Sequence, residues 1–326
     1  MKKRFGGAES IGKRIFKVSV STVIFIGDWL WRHLRQLALP KLPGTCVVLY
    51  YHAVPNEQRG NFARQMDLLL RFSKPVRSES IEPLESGHHV AVVFHDAFVS
   101  VCDNALPELA KRGIPSTVFV PSGFLGQRQG WIKDTTHSDY AELVVDAVRL
   151  KSLDEKVVSI GSHTVTHVDL SLLSENEARE QLGRSKIELE TLLGRPVNLF
   201  AFPYGGCTKA LTELAREAGY QRVFTIQPEL ARLKPDEFVT GSCPTSPTDW
   251  NLEFRLKLLG AYRWLPSIYA LKRRIVAGTR RRFSRKPEIL FLSTPVAQDR
   301  DAQSAHSSEP AKALKPPIFQ DTRTQR

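Results

Sequence analysis

Hydrophobic positions along this chain follow two alternating patterns. Short, dense runs of β-branched and aromatic residues recur at Thr45–Val54 (TCVVLYYHAV), His89–Phe94 (HVAVVF), Pro115–Val120 (PSTVFV), Lys156–His163 (KVVSIGSH), Asn198–Gly205 (NLFAFPYG) and Arg222–Ile226 (RVFTI). They read as buried strands. Between them, Asn61–Phe72, Asn104–Gly113, Ser174–Gly194 and Lys209–Gly219 have helical spacing. Gly113 is placed as a helix C-cap, and Ser174 with Glu177 three residues on forms a capping box. Strands alternating with helices at this pace predict right-handed βαβ units, hence an α/β fold with a parallel sheet or barrel. In such folds reactive residues gather at the carboxyl ends of the strands. His52, His95, Asp96, His163 and Tyr204 all lie at or just past a predicted strand end and should converge on one rim.

The pattern changes at both ends of the chain. LPKLPG (Leu39–Gly44) is a Pro/Gly break that closes an N-terminal arm. After about Thr245, Asn251–Ile275 reads as an amphipathic helical stretch bent at Gly260 and Pro266, and from Asp301 onward the chain is polar and aperiodic, as disordered segments are. The expected organisation is a basic, partly apolar helical arm over 1–44, an α/β domain over 45–245, a helical extension with a basic cluster over 246–300, and a disordered tail over 301–326.

Composition and charge refine this picture. Of the 326 residues 42% are hydrophobic, enough for a sizeable core. Four widely spaced cysteines, Cys46, Cys102, Cys207 and Cys243, form neither a disulfide framework nor a thiolate zinc site. The net charge of +12 comes mostly from the ends. Residues 1–40 hold eight basic residues against Glu9 and Asp28, and KRRIVAGTRRRFSRK (272–286) holds eight basic residues and no acidic one. Such blocks suit an anionic membrane surface or an acidic polymer, and equally a solvated terminus. No helix-turn-helix, zinc-finger spacing or RNP-like motif accompanies them, so nucleic acid is not the expected partner. The apolar run Val18–Gly27, followed by Trp29 and Trp31, is too short to span a bilayer and lacks a signal-peptide cleavage site. It fits either an interfacial helix or a helix packed on the domain. The expected location is cytoplasmic or inner-membrane-associated.

The chemistry concentrates in two motifs. GSHTVTH places His163 and His167 at H-x3-H spacing, which on a helical turn would put both imidazoles on one face. Asp96, on the same predicted rim, offers a hard oxygen. Two histidines and one carboxylate with open positions is a catalytic arrangement for a divalent metal, for which zinc suits both donor types. Trp131, on the long loop after the third strand, and Trp250 are candidates to stack on a ligand or to cover the core.

At this point the chain resembles the polysaccharide deacetylase family, the NodB-like carbohydrate esterases, over roughly Cys46–Ile226. The first family motif, T-F-D-D-G/A, stands here as Val93-Phe94-His95-Asp96-Ala97. The second, H-S/T-x-x-H, stands as His163-Thr164-Val165-Thr166-His167. The third, with its P-Y-G core, stands as Pro203-Tyr204-Gly205. The resemblance implies a distorted (β/α) barrel of the NodB type, with an N-terminal helical arm and a C-terminal helical extension. It implies metal-dependent hydrolysis of an N- or O-acetyl group on a cell-envelope or extracellular polysaccharide. Asp96, His163 and His167 fall on the metal ligands, and Tyr204 on the residue whose backbone amide holds the oxyanion. Two departures stand out. His95 occupies the position of the family's aspartate base, and the late Leu-x-His that supplies the general acid is missing, leaving His52 as a candidate. A catalytically impaired homologue that binds carbohydrate is therefore the alternative. Hydrolysis of a small non-sugar amide is a third reading.

Overall fold

The expected strands and helices form, and the chain folds them into a barrel. The computed structural model describes residues 10–38, 44–80, 84–234 and 236–268. In chain order these form α1 (Ile11–Ala38), β1 (Thr45–Tyr51), α2 (Arg59–Phe72), β2 (Lys74–Pro75), β3 (His88–Phe94), α3 (Leu106–Ala110), β4 (Ser116–Val120), α4 (Ala147–Lys151), β5 (Val158–Ser162) and α5 (Glu175–Leu193). There follow β6 (Leu199–Ala201), α6 (Lys209–Glu217), β7 (Arg222–Thr225), β8 (Leu230–Ala231), β9 (Val239–Gly241), β10 (Cys243–Pro244) and α7 (Asn251–Leu258). The capping box at Ser174 and Glu177 is formed at the start of α5.

The main sheet runs β10-β1-β3-β4-β5-β6-β7-β9, and every neighbouring pair on this path is parallel. Its two edge strands, β9 and β10, are separated in sequence by Ser242 alone. One short stretch therefore pairs β7 on one side and β1 on the other, and draws the sheet into a nearly closed barrel. Ser242 secures the crossing by donating both its N–H (2.9 Å) and its hydroxyl to the Thr225 carbonyl.

Both faces of the strands are buried, as in parallel barrels generally. Successive side chains point to opposite faces. Cys46, Val48 and Tyr50 of β1 cluster with Ala91, Val93, Phe119, Leu199, Ala201 and Phe224 inside the barrel. Val47, Leu49 and Tyr51 pack outward with Val90, Val92 and Phe94 against the helices. Gly161 in β5 is required by this interior: a Cβ there would sit 2.4 Å from the Phe119 ring.

Described residues after 245 enter the same core. Phe254, Leu256, Leu258, Ala261 and Tyr262 are buried in the main outer cluster with β1, α2 and β3. α7 ends at Leu258, the chain turns at Gly260 with φ +74°, and residues 265–268 are helical. α1 packs against α7. Arg14 Nε lies 2.6 Å from Glu253 Oε2 with its guanidinium 4.2 Å over the Trp250 ring, Trp264 Nε1 donates to Ser21 Oγ at 2.9 Å, and Arg263 pairs with Asp28. Among the described residues no helix is long and apolar enough to cross a membrane. The basic cluster at 272–286 and the expected tail at 301–326 lie outside the described residues.

If α7 is a wall of the core rather than an appendage, Phe254→Ala should cost about 3–5 kcal/mol, the usual penalty for emptying a buried phenylalanine site. Urea denaturation followed by tryptophan fluorescence measures it. A cost below about 1 kcal/mol would show that α7 packs only peripherally.

Candidate functional site

Strand periodicity aims three histidines at one mouth of the barrel. The inward row of β1 (Cys46, Val48, Tyr50) continues to His52, that of β3 (Ala91, Val93) to His95, and Gly161 of β5 is followed two residues on by His163. His95 and His163 are buried, and His52 is exposed at the opening. The rings form a row, with centroids 5.7 Å apart from His52 to His95 and 4.9 Å from His95 to His163. Tyr50 stacks on His95 at 4.7 Å and Phe119 meets it edge-on at 5.5 Å, so an aromatic floor separates the histidines from the apolar interior.

Asp96 and His167 reach the same point through the backbone rather than through strand parity. Asp96 (φ +71°), Ala97 (+52°), Thr164 (+65°), His167 (+53°) and Tyr204 (+57°) all adopt left-handed conformations, each costing on the order of 1–3 kcal/mol. Five such residues in the loops after β3, β5 and β6 are held by hydrogen bonds from outside. Gln181 on α5 accepts the Val165 and Thr166 amides at 3.0 and 3.1 Å, Thr164 and Val165 accept from Ser122 and Gly123, and Val145 donates to Ala97. The H-x3-H segment is thus a strained loop, not the helical turn its spacing suggested.

The outcome is a buried triangle. Asp96 Oδ1 lies 3.5 Å from His163 Nε2 and 2.9 Å from His167 Nε2, and the three groups offer ligand atoms all within 4.8 Å of one another. His163 Nδ1 contacts the Ala201 carbonyl at 2.8 Å. That carbonyl can only accept, so the ring proton sits on Nδ1 and a lone pair faces Asp96 from Nε2. Two acceptors then confront each other at 3.5 Å in a buried site. Asp96 Oδ1 and His95 Nε2 are both buried without an aligned hydrogen-bond partner. A cation between the groups removes the conflict. Tetrahedral zinc with bonds of about 2.1 Å sets its ligands roughly 3.4 Å apart, so the donor set fits such an ion.

Protonation states agree with that role. Burial, with the His167 imidazole second, pushes His163 down to about 3. His95 is likewise held well below the ordinary histidine range, first by burial and then by His163 and His52. Burial alone would raise Asp96, but the His167 imidazole, with His52 and His163, outweighs it and keeps the carboxyl well below its usual value. The site presents an ionised Asp96 carboxylate beside the neutral imidazoles of His163 and His95, a protonation pattern that suits a metal.

Trp131 lies flat against His167, with centroids 4.1 Å apart, and Tyr204 meets that ring edge-on at 5.0 Å. Pro203, Tyr204 and Gly205 form a single tight turn after β6. Trp131, a candidate for stacking on a sugar, is thus used at least in part to fix His167. The Arg14 guanidinium lies over the Trp250 ring, which stays exposed. On the Trp131 loop, Asp134 Oδ1 accepts from Thr136 N and Oγ1, and His137 Nδ1 accepts from Asp139 N. Both serve the loop's own turns. The sequence reading missed Gln181, Tyr50 and the Ala201 carbonyl. Strand parity could have found Tyr50, but nothing local marks Gln181.

Residues 85–223 match the polysaccharide deacetylase family model. YxkH of Bacillus subtilis (strain 168), provisionally named a polysaccharide deacetylase, is 22% identical over 142 residues, covering 44% of this chain and 46% of its own length. The chain spans about half the length of the curated relatives it matches. Among solved structures, IcaB from Ammonifex degensii superposes with a TM-score of 0.56 at 26% identity, over 67% of this chain and 98% of that one. The Streptococcus pyogenes deacetylase PplD, in complex with acetate, superposes with a TM-score of 0.54 at 18% identity, over 68% and 99%, and shares the fold.

Replacing both histidines (His163→Ala/His167→Ala) should abolish stoichiometric zinc in the purified protein. Undiminished metal by atomic emission would refute the ligand assignment. Gln181→Leu should weaken zinc affinity about 10–100-fold, the usual effect of losing an outer-shell support. An unchanged affinity by competition with a chromophoric chelator would show that the 163–167 loop holds its shape without Gln181.

Proposed function

We propose, from the match of residues 85–223 to the polysaccharide deacetylase family model, that the chain hydrolyses an N- or O-acetyl group on a sugar of a cell-envelope or extracellular polysaccharide. The observation that carries this reading is the buried meeting of Asp96 with His163 and His167 at the barrel mouth. Asp96, His163 and His167 would hold a divalent ion, with zinc favoured by the donor set. Bound there, the ion would supply a Lewis acid and ease the ionisation of water.

The chain's own groups fill the remaining roles. His95 Nε2, buried and without a partner, is the acceptor for the proton of the attacking water. The Tyr204 backbone N–H, in the turn beside His167, is the donor for the oxyanion of the tetrahedral intermediate. His52, exposed at the opening, is placed to return a proton to the departing amine or alcohol. Trp131 and Tyr204 brace His167 and wall off solvent on that side.

One observation favours a second reading, that of an impaired homologue retaining the barrel and binding carbohydrate. His95 brings an uncharged ring packed on Tyr50 to the position where the family pattern has a carboxylate. Among the described residues no histidine follows His167.

The deciding experiment combines metal analysis with acetate release from chitooligosaccharides and an acetylated aryl ester. Near-stoichiometric metal is expected, with acetate release that a chelator stops and added zinc restores. Metal without acetate release from any of these substrates would favour the impaired reading. His95→Asp then separates the two directly. A gain in acetate release of about tenfold or more would mark the natural site as impaired, whereas a comparable loss would make His95 the working base.

A further inference from the structure

α1 carries an uncovered apolar face that the site does not explain. The helix spans 28 residues, about 42 Å at 1.5 Å per residue. At 100° per residue, Ile11, Ile15, Val23, Ile26 and Leu30 share one side with Gly12, Ser19 and Gly27. Those five apolar residues are 68%, 51%, 70%, 50% and 49% exposed, and no charged residue interrupts the arc they occupy. The opposite side is fixed to the domain through Arg14 on Glu253, Ser21 on Trp264 and Asp28 on Arg263. The helix cannot roll its apolar face inward without breaking these contacts.

We propose that α1 lies flat on an anionic lipid surface, with this face immersed at the boundary between headgroups and acyl chains. Charge selects that occupant. Residues 1–40 hold eight basic residues against two acidic ones; of these, Arg14 is paired with Glu253 and Asp28 with Arg263, which leaves seven bases against Glu9. The sequence holds eight more basic residues and no acidic one at 272–286. A second copy of the chain would set this positive charge against itself, whereas anionic headgroups complement it. Trp29, half exposed near the C-terminal end of α1, is a residue type that favours the lipid–water boundary. With no described helix apolar enough to cross the bilayer, the contact is interfacial. It is independent of the reaction assigned to the barrel.

Flotation of the full chain with phosphatidylglycerol–phosphatidylcholine vesicles tests this, with Val23→Glu/Ile26→Glu/Leu30→Glu as the variant. The wild-type chain should float with the anionic vesicles, lose binding as salt rises, and bind pure phosphatidylcholine about tenfold or more weakly. The variant should lose about tenfold or more of its vesicle binding while keeping the wild-type metal content and urea midpoint. Failure of the wild type to float would overturn the proposal, as would a variant that floats like the wild type. Self-association in sedimentation velocity that the variant abolishes, without vesicle binding by either, would overturn it in favour of a second copy.

Discussion

The Asp96 carboxylate facing the bare Nε2 of His163 across 3.5 Å is the contact on which the rest of the structure depends. Without a cation it is two acceptors held together in a buried place, and the chain maintains it through several independent constraints. The Ala201 carbonyl fixes the His163 ring and its proton, β5 supplies the position, and the turn after β3 swings Asp96 inward through a left-handed backbone. Five residues in such conformations around one point amount to several kcal/mol of local strain. Well-packed strands and the Gln181 side chain sustain that strain, and its concentration in three loops marks the site as firmly as the residue types do.

The barrel interior beneath the site explains why the histidines stay neutral and in place. Phe119 fills the space that Gly161 leaves open and meets His95 edge-on, while Tyr50 stacks on its face. These rings exclude water from below, so burial is the first cause of the lowered proton affinity of both His95 and His163. The same layer is the top of the apolar core, so site and core share atoms.

Strand periodicity carries much of this into the sequence. Counting by twos along β1 and β3 leads to His52 and His95, and the dense apolar runs with intervening helices are enough to predict a parallel sheet or barrel. Asp96 and His167 are not legible in the same way. They reach the centre because Ala97 and Thr164 turn left-handed, which neither residue type favours locally. The H-x3-H spacing pointed to two histidines that do meet at Asp96, but through a strained loop rather than the helical face it suggested. Trp131 against His167 depends on how a long loop folds back, and Gln181 on how α5 docks. Both are tertiary facts without a local signal. α7 lies in the stretch that reads from sequence as an amphipathic helical extension, yet Phe254, Leu256 and Leu258 all enter the core.

The identity of residue 95 decides the charge of the pocket. One carboxylate, Asp96, stands among four imidazoles, of which His163 and His95 are held neutral chiefly by burial. A divalent ion bound to this set would keep a net charge near +1, where an aspartate at position 95 would bring it to zero. In the proposed reaction that excess positive charge would favour ionised water and a developing oxyanion. It also makes protonation of the neighbouring His95 ring harder, since like charges oppose each other most where the dielectric is low. In the proposed reaction a histidine at position 95 would therefore strengthen the electrophilic half of the site and weaken its basic half.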